Sequence, residues 1–326
     1  MVNALAARGV RCTVLLYNRH GVDPAAAVAV IRRHWPGLKA DIGFVDEEIS
    51  GYDMCVASSW ETAHVLARRS VGPMHRFYFV QDYEPYFYPR GSLYSLAEDS
   101  YRFGFTHIAL GPMVAAEIRR HTAAEALVVP FGCDATTYAR HEGGTRDGVA
   151  VFARRDAERR GAVLAGLALL EVHRRRPDVI LRTFGGPDPG WEVPHEHVGV
   201  LQPAELNNLY NRSSAGLVLS FTNVSLVPGE MLRAGLIPVV NDDPLVRPCL
   251  DDPRVKWARP TPIGLADAIC QAIDHAAGQA GPAAAEAARE VTWATTEEAV
   301  AELMLHRVRG PHNRRRSESG EQRCRI

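Results

Sequence analysis

The sequence predicts an α/β protein made of two doubly wound parallel-sheet domains. Short apolar runs of strand length alternate with stretches of helical length along most of the chain. At 326 residues it is long enough for two domains of roughly 100–200 residues each. The stretch LVLSFTNVSLVPGEMLRAGLIPVVNDD at residues 217–243 reads as strand, polar loop, short helix and strand. A polar loop leading from a strand to a helix start is where open α/β sheets place ligands.

In the first half, residues 2–9 read as a helix end closed by Gly9, feeding a strand at 11–17. A chain that opens on a helix feeding a parallel strand is unusual. Residues 25–34 are alanine-rich and helical, 52–58 form an apolar strand, and 60–69 an amphipathic helix. A strand at 76–80 then runs into a tyrosine- and proline-rich loop at 81–91, followed by a helix at 92–103. Phe77, Tyr78, Phe79, Tyr83, Tyr86, Phe87 and Tyr88 interleave there with Asp82 and Glu84, directly after a strand's carboxyl end. Rings and carboxylates suit sugars, whose C–H faces pack on aromatics and whose hydroxyls donate to acids. The plainer alternative is that half the rings are core and the acids close a turn. A strand at 105–110, a helix at 112–121 and a strand at 127–131 complete this half, and Gly132 and Asp134 follow as turn formers.

Residues 138–147 (YARHEGGTRD) are polar and glycine-bearing, a hinge. Beyond it come a strand at 148–153, a helix at 162–175 and a strand at 179–184, with Arg154, Arg155, Arg159 and Arg160 between the first two. Arginines at a strand-to-helix turn suit a diphosphate, although surface arginines in a first helical turn are commoner. Phe184-Gly185-Gly186 lets a ligand approach the backbone, and 198–201 followed by 203–210 reads as strand and capped helix. In the 217–243 stretch, Thr222, Asn223 and Ser225 break the apolar run. Pro228 suits a first helical turn, and Glu230 sits where a carboxylate meets helix amides. Asp242-Asp243 and Asp251-Asp252 precede prolines and read as turn formers rather than Mg²⁺ ligands. Residues 266–277 and 293–308 are helical, and the charged, apolar-poor tail beyond Arg309 is expected to be disordered.

A net charge of −1 gives no global pull towards nucleic acid or membrane. Six scattered cysteines without a C-x-x-C pair fit a reducing compartment. With no 18-residue apolar run and no secretory leader, the expectation is a cytoplasmic protein, with peripheral contact at the inner membrane face left open through its acceptor.

Residues 217–243 resemble the donor-binding segment of family 4 GT-B glycosyltransferases: Leu226, Val227, Pro228, Glu230, Met231, Ala234, Gly235, Pro238, Val239 and Val240 match in register. The first acid of that motif falls on Thr222 and its first glycine on Asn223. The variant T-N-x-S-L-V-P-x-E-M, with Y-F-V-Q-D-Y-E-P-x-F-Y-P at 78–89, is similar to the WsaF-type rhamnosyltransferase branch. The resemblance implies a GT-B fold: two Rossmann-like domains with a cleft between them. It also implies a missing first strand, because relatives begin with a strand and a glycine loop before the helix that opens this chain. The implied division is an acceptor-side domain at 1–137, a linker at 138–147, a nucleotide-sugar domain at 148–291, a helix at 292–308 packing back on the first domain, and a tail at 309–326.

The activity it implies is transfer of a deoxyhexose, L-rhamnose from dTDP-rhamnose, to a glycan or lipid-linked saccharide in surface polysaccharide assembly. No metal is expected. Arginine (Arg154 or Arg155) takes the leaving diphosphate, and Val200 and Leu201 hold the base. Glu230 takes the ribose, while Thr222, Asn223, Ser225, Leu226 and Val227 contact sugar and phosphates. Asp82 or Glu84 acts on the acceptor hydroxyl beside Tyr83, Tyr86 and Tyr88. Two rivals remain: an inactive sugar-nucleotide- or glycan-binding partner of an assembly complex, and an epimerase acting on the donor alone.

Overall fold

The computed structural model describes residues 1–18, 20–278, 291–310 and 323–325. The chain divides into two compact units, Met1–Pro130 with Ala294–Ile326, and Phe131–Trp293.

Unit 1 begins with β1 (Arg11–Leu16), β2 (Asp41–Phe44), β3 (Met54–Ala57), β4 (His75–Val80), β5 (Thr106–Leu110) and β6 (Ala126–Val129). Its helices are α1 (Val2–Ala6), α2 (Pro24–His34), α3 (Trp60–Arg69), α4 (Ser92–Asp99) and α5 (Pro112–Thr122). Local chemistry sets their starts. The Asp23 carboxylate accepts from Ala26 N–H ahead of Pro24, and Ser59 and Thr62 close a reciprocal capping box at α3. Strand β2 escapes sequence reading because it is a half-exposed edge strand, DIGF, with no buried run to announce it.

Unit 2 carries β7 (Val149–Phe152), β8 (Leu181–Phe184), β9 (Glu196–Gly199), β10 (Ala215–Val218), β11 (Ile237–Asn241) and β12 (Lys256–Ala258). Between them lie α6 (Ala162–Arg175), α7 (Pro203–Arg212), α8 (Val227–Arg233) and α9 (Pro262–Gly278). The strand order is β12-β11-β10-β7-β8-β9, all parallel. Alternation along β7 sorts the core into two layers. Val149 and Val151 pack with Leu169 and Val172 of α6 and Ile269 of α9; Ala150, on the opposite face, packs with Tyr210 of α7 and Met231 of α8. Helices on both faces of a parallel sheet make the doubly wound architecture read from the sequence.

The chain closes with α10 (Trp293–Arg309) and β13 (Arg323–Arg325). Thr296 of α10 donates to Pro130 O at 2.9 Å. The first sheet runs β2-β1-β13-β3-β4-β5-β6, with β13 parallel between β1 and β3. The disordered tail expected at 309–326 therefore needs correction at residues 323–325. Composition rules count the apolar surface a tail can bury, whereas backbone ladders on both sides hold an extended segment whatever its side chains. The rest of that expectation, 311–322 and 326, lies outside the described residues.

Candidate donor site

The order of the second sheet reverses between β7 and β10: β8 and β9 continue on one side, β11 and β12 on the other. Parallel α/β sheets hold ligands outside the carboxyl ends of the strands at such a switch point. The loops leaving β7 (153–161) and β10 (219–226) meet there. Phe221 N–H donates to Arg159 O at 2.9 Å, and Arg160 Nη1 donates to Ser220 Oγ at 2.8 Å and Asn223 O at 3.3 Å. Asn241, at the end of β11, fixes the same loop by donating to Ser220 O and accepting from Ser220 N–H. Gly161 permits the close approach: its φ is +61°, and a Cβ there would lie 3.0 Å from the Phe221 ring.

Glu230 sits one turn into α8. Tyr210 Oη donates to Glu230 Oε2 at 3.2 Å, and Tyr138 hydrogen-bonds the same carboxyl. Burial pushes the Glu230 pKa up to about 7, against the opposing pull of those two bonds. The neighbouring phenols shift up as well: Tyr210 chiefly through burial and then through the Glu230 charge, Tyr138 likewise. A carboxyl placed this way, with phenolic donors around it, has lone pairs left to accept further hydroxyls.

Around Glu230, Thr222 and Asn223 are buried within the β10–α8 loop, and Ser225 Oγ is buried without a hydrogen-bond partner among the described residues. Leu226 is partly exposed and Val227 is buried. Arg154 is held by Asp156 in a two-point pair at 2.6 and 2.8 Å, and Arg155 Nη1 donates to Pro189 O. The arginine seated on the β10–α8 loop is instead Arg160, a residue left out of the sequence assignments. Val200 is 76% exposed beyond the end of β9, while Leu201 is half-buried against the α7–α8 layer. Asp242 is paired with Arg247 and Asp252 with Arg254, which accounts for both acids without a cation.

In unit 1 the aromatic motif is mostly internal. Asp82 and Glu84 are each only 6% exposed. Asp82 Oδ1 accepts from Tyr83 N–H. Both Glu84 oxygens are engaged: Oε2 accepts from Trp60 N–H at 2.8 Å and Oε1 from Tyr78 Oη at 2.8 Å. Glu84 therefore caps the start of α3. Burial, eased by those two bonds, pushes its pKa up to about 7. Tyr83 is fully buried, its ring stacked on Tyr101 and His121. Tyr86 donates to Glu117, and Tyr88 Oη accepts from Trp60 Nε1.

Residues 46–111 match the family described as WsaF, N-terminal domain. The O-antigen biosynthesis protein RfbC of Myxococcus xanthus is 28% identical over 314 residues, covering 91% of this chain and 24% of that protein. The chain thus spans less than a quarter of the curated relative it matches. Sucrose-phosphate synthase from Thermosynechococcus elongatus superposes with a TM-score of 0.63 at 12% identity, covering 92% of this chain and 98% of that one. HepE from Anabaena, solved in complex with UDP and glucose, gives 0.58 at 14% identity over 90% and 95%. Those identities speak for the fold alone: two parallel sheets in the GT-B arrangement of strands and helices.

Proposed function

We propose that this chain, of WsaF type and GT-B fold, is a glycosyltransferase of O-antigen or related surface-polysaccharide assembly, using a nucleotide-sugar donor and a saccharide acceptor. The observation that carries the reading is Glu230, half-buried between two phenols beside the switch point where Arg160 meets the β10–α8 loop. In this reading the Glu230 carboxylate accepts the two ribose hydroxyls of the nucleotide. As the glycosidic bond to phosphate breaks, the diphosphate gains negative charge. The Arg160 guanidinium, placed against the Ser220–Asn223 loop, offsets that charge. The acceptor hydroxyl forms the new bond to the anomeric carbon, and its proton passes to the departing diphosphate or to water.

The finer proposal is that the sugar is a deoxyhexose, L-rhamnose carried on dTDP. It rests on the register of T-N-x-S-L-V-P-x-E-M, in which neutral Thr222 and Asn223 stand where an acid and a glycine are usual. A site with one carboxylate fewer suits a sugar with one hydroxyl fewer. The buried Ser225 hydroxyl, without a partner among the described residues, is the polar group such a sugar or its phosphate meets. No metal enters the reading, and contact with the inner membrane face would come through a lipid-linked acceptor.

Calorimetry with dTDP and with UDP, followed by transfer assays from dTDP-rhamnose and UDP-glucose, tests both levels. Tighter binding of dTDP and turnover of the rhamnosyl donor are expected. Turnover of UDP-glucose alone refutes the deoxysugar, and nucleotide binding without turnover of any donor selects an inactive binding partner.

A further inference from the structure

The strand order of sheet 1 also reverses direction across its middle: β1 and β2 lie on one side of β13, and β3 to β6 run away on the other. A cavity of about 530 Å³ opens among residues that follow three of those strands. Tyr17 comes directly after β1, Glu47 shortly after β2, and Trp60, Glu61 and His64 after β3, with Arg69 closing the far end. Its walls combine two features. Tyr17 is 40% exposed, and the Arg69 guanidinium lies 6.0 Å from its ring centroid. The lining carries two carboxylates, Glu47 and Glu61, and two guanidiniums, Arg68 and Arg69, so its formal charges cancel.

We infer that this cavity binds an uncharged hexose unit of a saccharide, stacked on Tyr17. A sugar ring offers an apolar C–H face to the phenol. Its neighbouring hydroxyls donate to Glu47 or Glu61 and accept from Arg69, which a balanced set of charges serves better than an excess of either sign. The volume lies within the range of small-molecule sites and exceeds that of one hexose. The mouth is braced from behind: Trp60 N–H is held by Glu84 and Trp60 Nε1 by Tyr88, so the motif at 78–89 supports this wall without lining it. This inference rests on the transferase reading only in naming the saccharide as acceptor; binding itself needs no donor.

The test is saturation-transfer NMR on the full chain without nucleotide, using methyl α-L-rhamnoside, methyl β-D-glucoside and methyl β-D-glucuronide as probes. One or both neutral glycosides should receive saturation. Tyr17→Ala should weaken them about tenfold, Tyr17→Phe should keep binding within about twofold, and Trp35→Ala, which removes an exposed ring elsewhere in the unit, should change nothing. Circular dichroism confirms that each variant is folded. Silence from all three probes, binding of the glucuronide alone, or wild-type affinity in Tyr17→Ala each overturns the inference. Calorimetry with dTDP and with UDP on the same samples separates the outcomes: nucleotide binding without glycoside binding removes this cavity and leaves the donor reading, and the converse removes the donor reading and leaves the cavity.

Discussion

Glu84 separates two roles that a carboxylate in a sugar-handling motif can play. With Oε2 on Trp60 N–H and Oε1 on Tyr78 Oη, it holds the start of α3, and only 6% of the residue is exposed. Glu84→Ala strands two buried donors at about 1–3 kcal/mol each, so a loss of about 4 kcal/mol is expected. Glu84→Gln behaves differently. Its amide oxygen accepts from Trp60 N–H, its NH₂ donates to a rotated Tyr78 hydroxyl, and the cost against the protonated wild type falls to about 1 kcal/mol.

The same pair of variants has a pH signature. In the folded chain the carboxyl keeps its proton to about pH 7, against 4.5 for an ordinary glutamate. Between those values the native state binds more protons than the unfolded state, so stability falls as pH rises. The difference, 1.36 kcal/mol per pKa unit, amounts to about 3 kcal/mol, absent below pH 4.5 and complete above pH 7. Urea unfolding of wild type and Glu84→Gln from pH 4 to 8 should show the two curves converging at the acid end, with the wild type losing ground towards pH 8. Donor turnover at pH 7 should stay within about threefold in Glu84→Gln. Loss of a hundredfold or more in kcat with stability retained is the scale of a missing general base and refutes the capping argument.

Donor binding should carry the other raised carboxyl. If the ionised Glu230 accepts ribose hydroxyls as proposed, nucleotide affinity measured by calorimetry should rise from pH 6 to pH 8 in the wild type and stay flat and weaker in Glu230→Gln. Arg160→Ala should raise donor KM and lower kcat by tenfold or more, since it removes the proposed diphosphate contact together with the brace on Ser220. Arg154→Ala, whose guanidinium is already paired with Asp156, should change steady-state kinetics less than threefold. Gly132→Ala places a Cβ 2.6 Å from Trp293 Cα and 2.7 Å from its nitrogen, so the melting temperature should fall by about 5 °C, the scale of a 1–3 kcal/mol overpacking cost.

Most of the architecture was legible because parallel strands buried on both faces read as apolar runs. VAVF, LRTF, AGLV and IPVVN all announce themselves or lie within longer runs that do. What stayed hidden were edges and insertions. DIGF and KWA are outer strands with one neighbour each, and β13 is held by backbone bonds that composition does not encode. Glu230 was legible from its position two residues past Pro228, in the first turn of α8. Its phenolic partners were not, because Tyr138 lies in a stretch that reads as linker and Tyr210 at the end of a different helix.

The arginines show most plainly why site residues are harder to read than strands. Arg154, Arg155, Arg159 and Arg160 lie within seven residues and are equivalent by composition. Which of them is carried onto the β10–α8 loop is decided by one neighbour of β7 in the sheet. That neighbour is β10, more than sixty residues downstream, and its loop turns back over the beginning of α6. Phe221 N–H then fixes on Arg159 O, which aims the next side chain, Arg160, at Ser220 and leaves Arg154 to Asp156 and Arg155 to the Pro189 carbonyl. The one local sign is glycine. Only Gly161, at φ +61° and pressed against Phe221, lets the two loops come so close, so the residue just before that glycine is the one the fold delivers to the switch point.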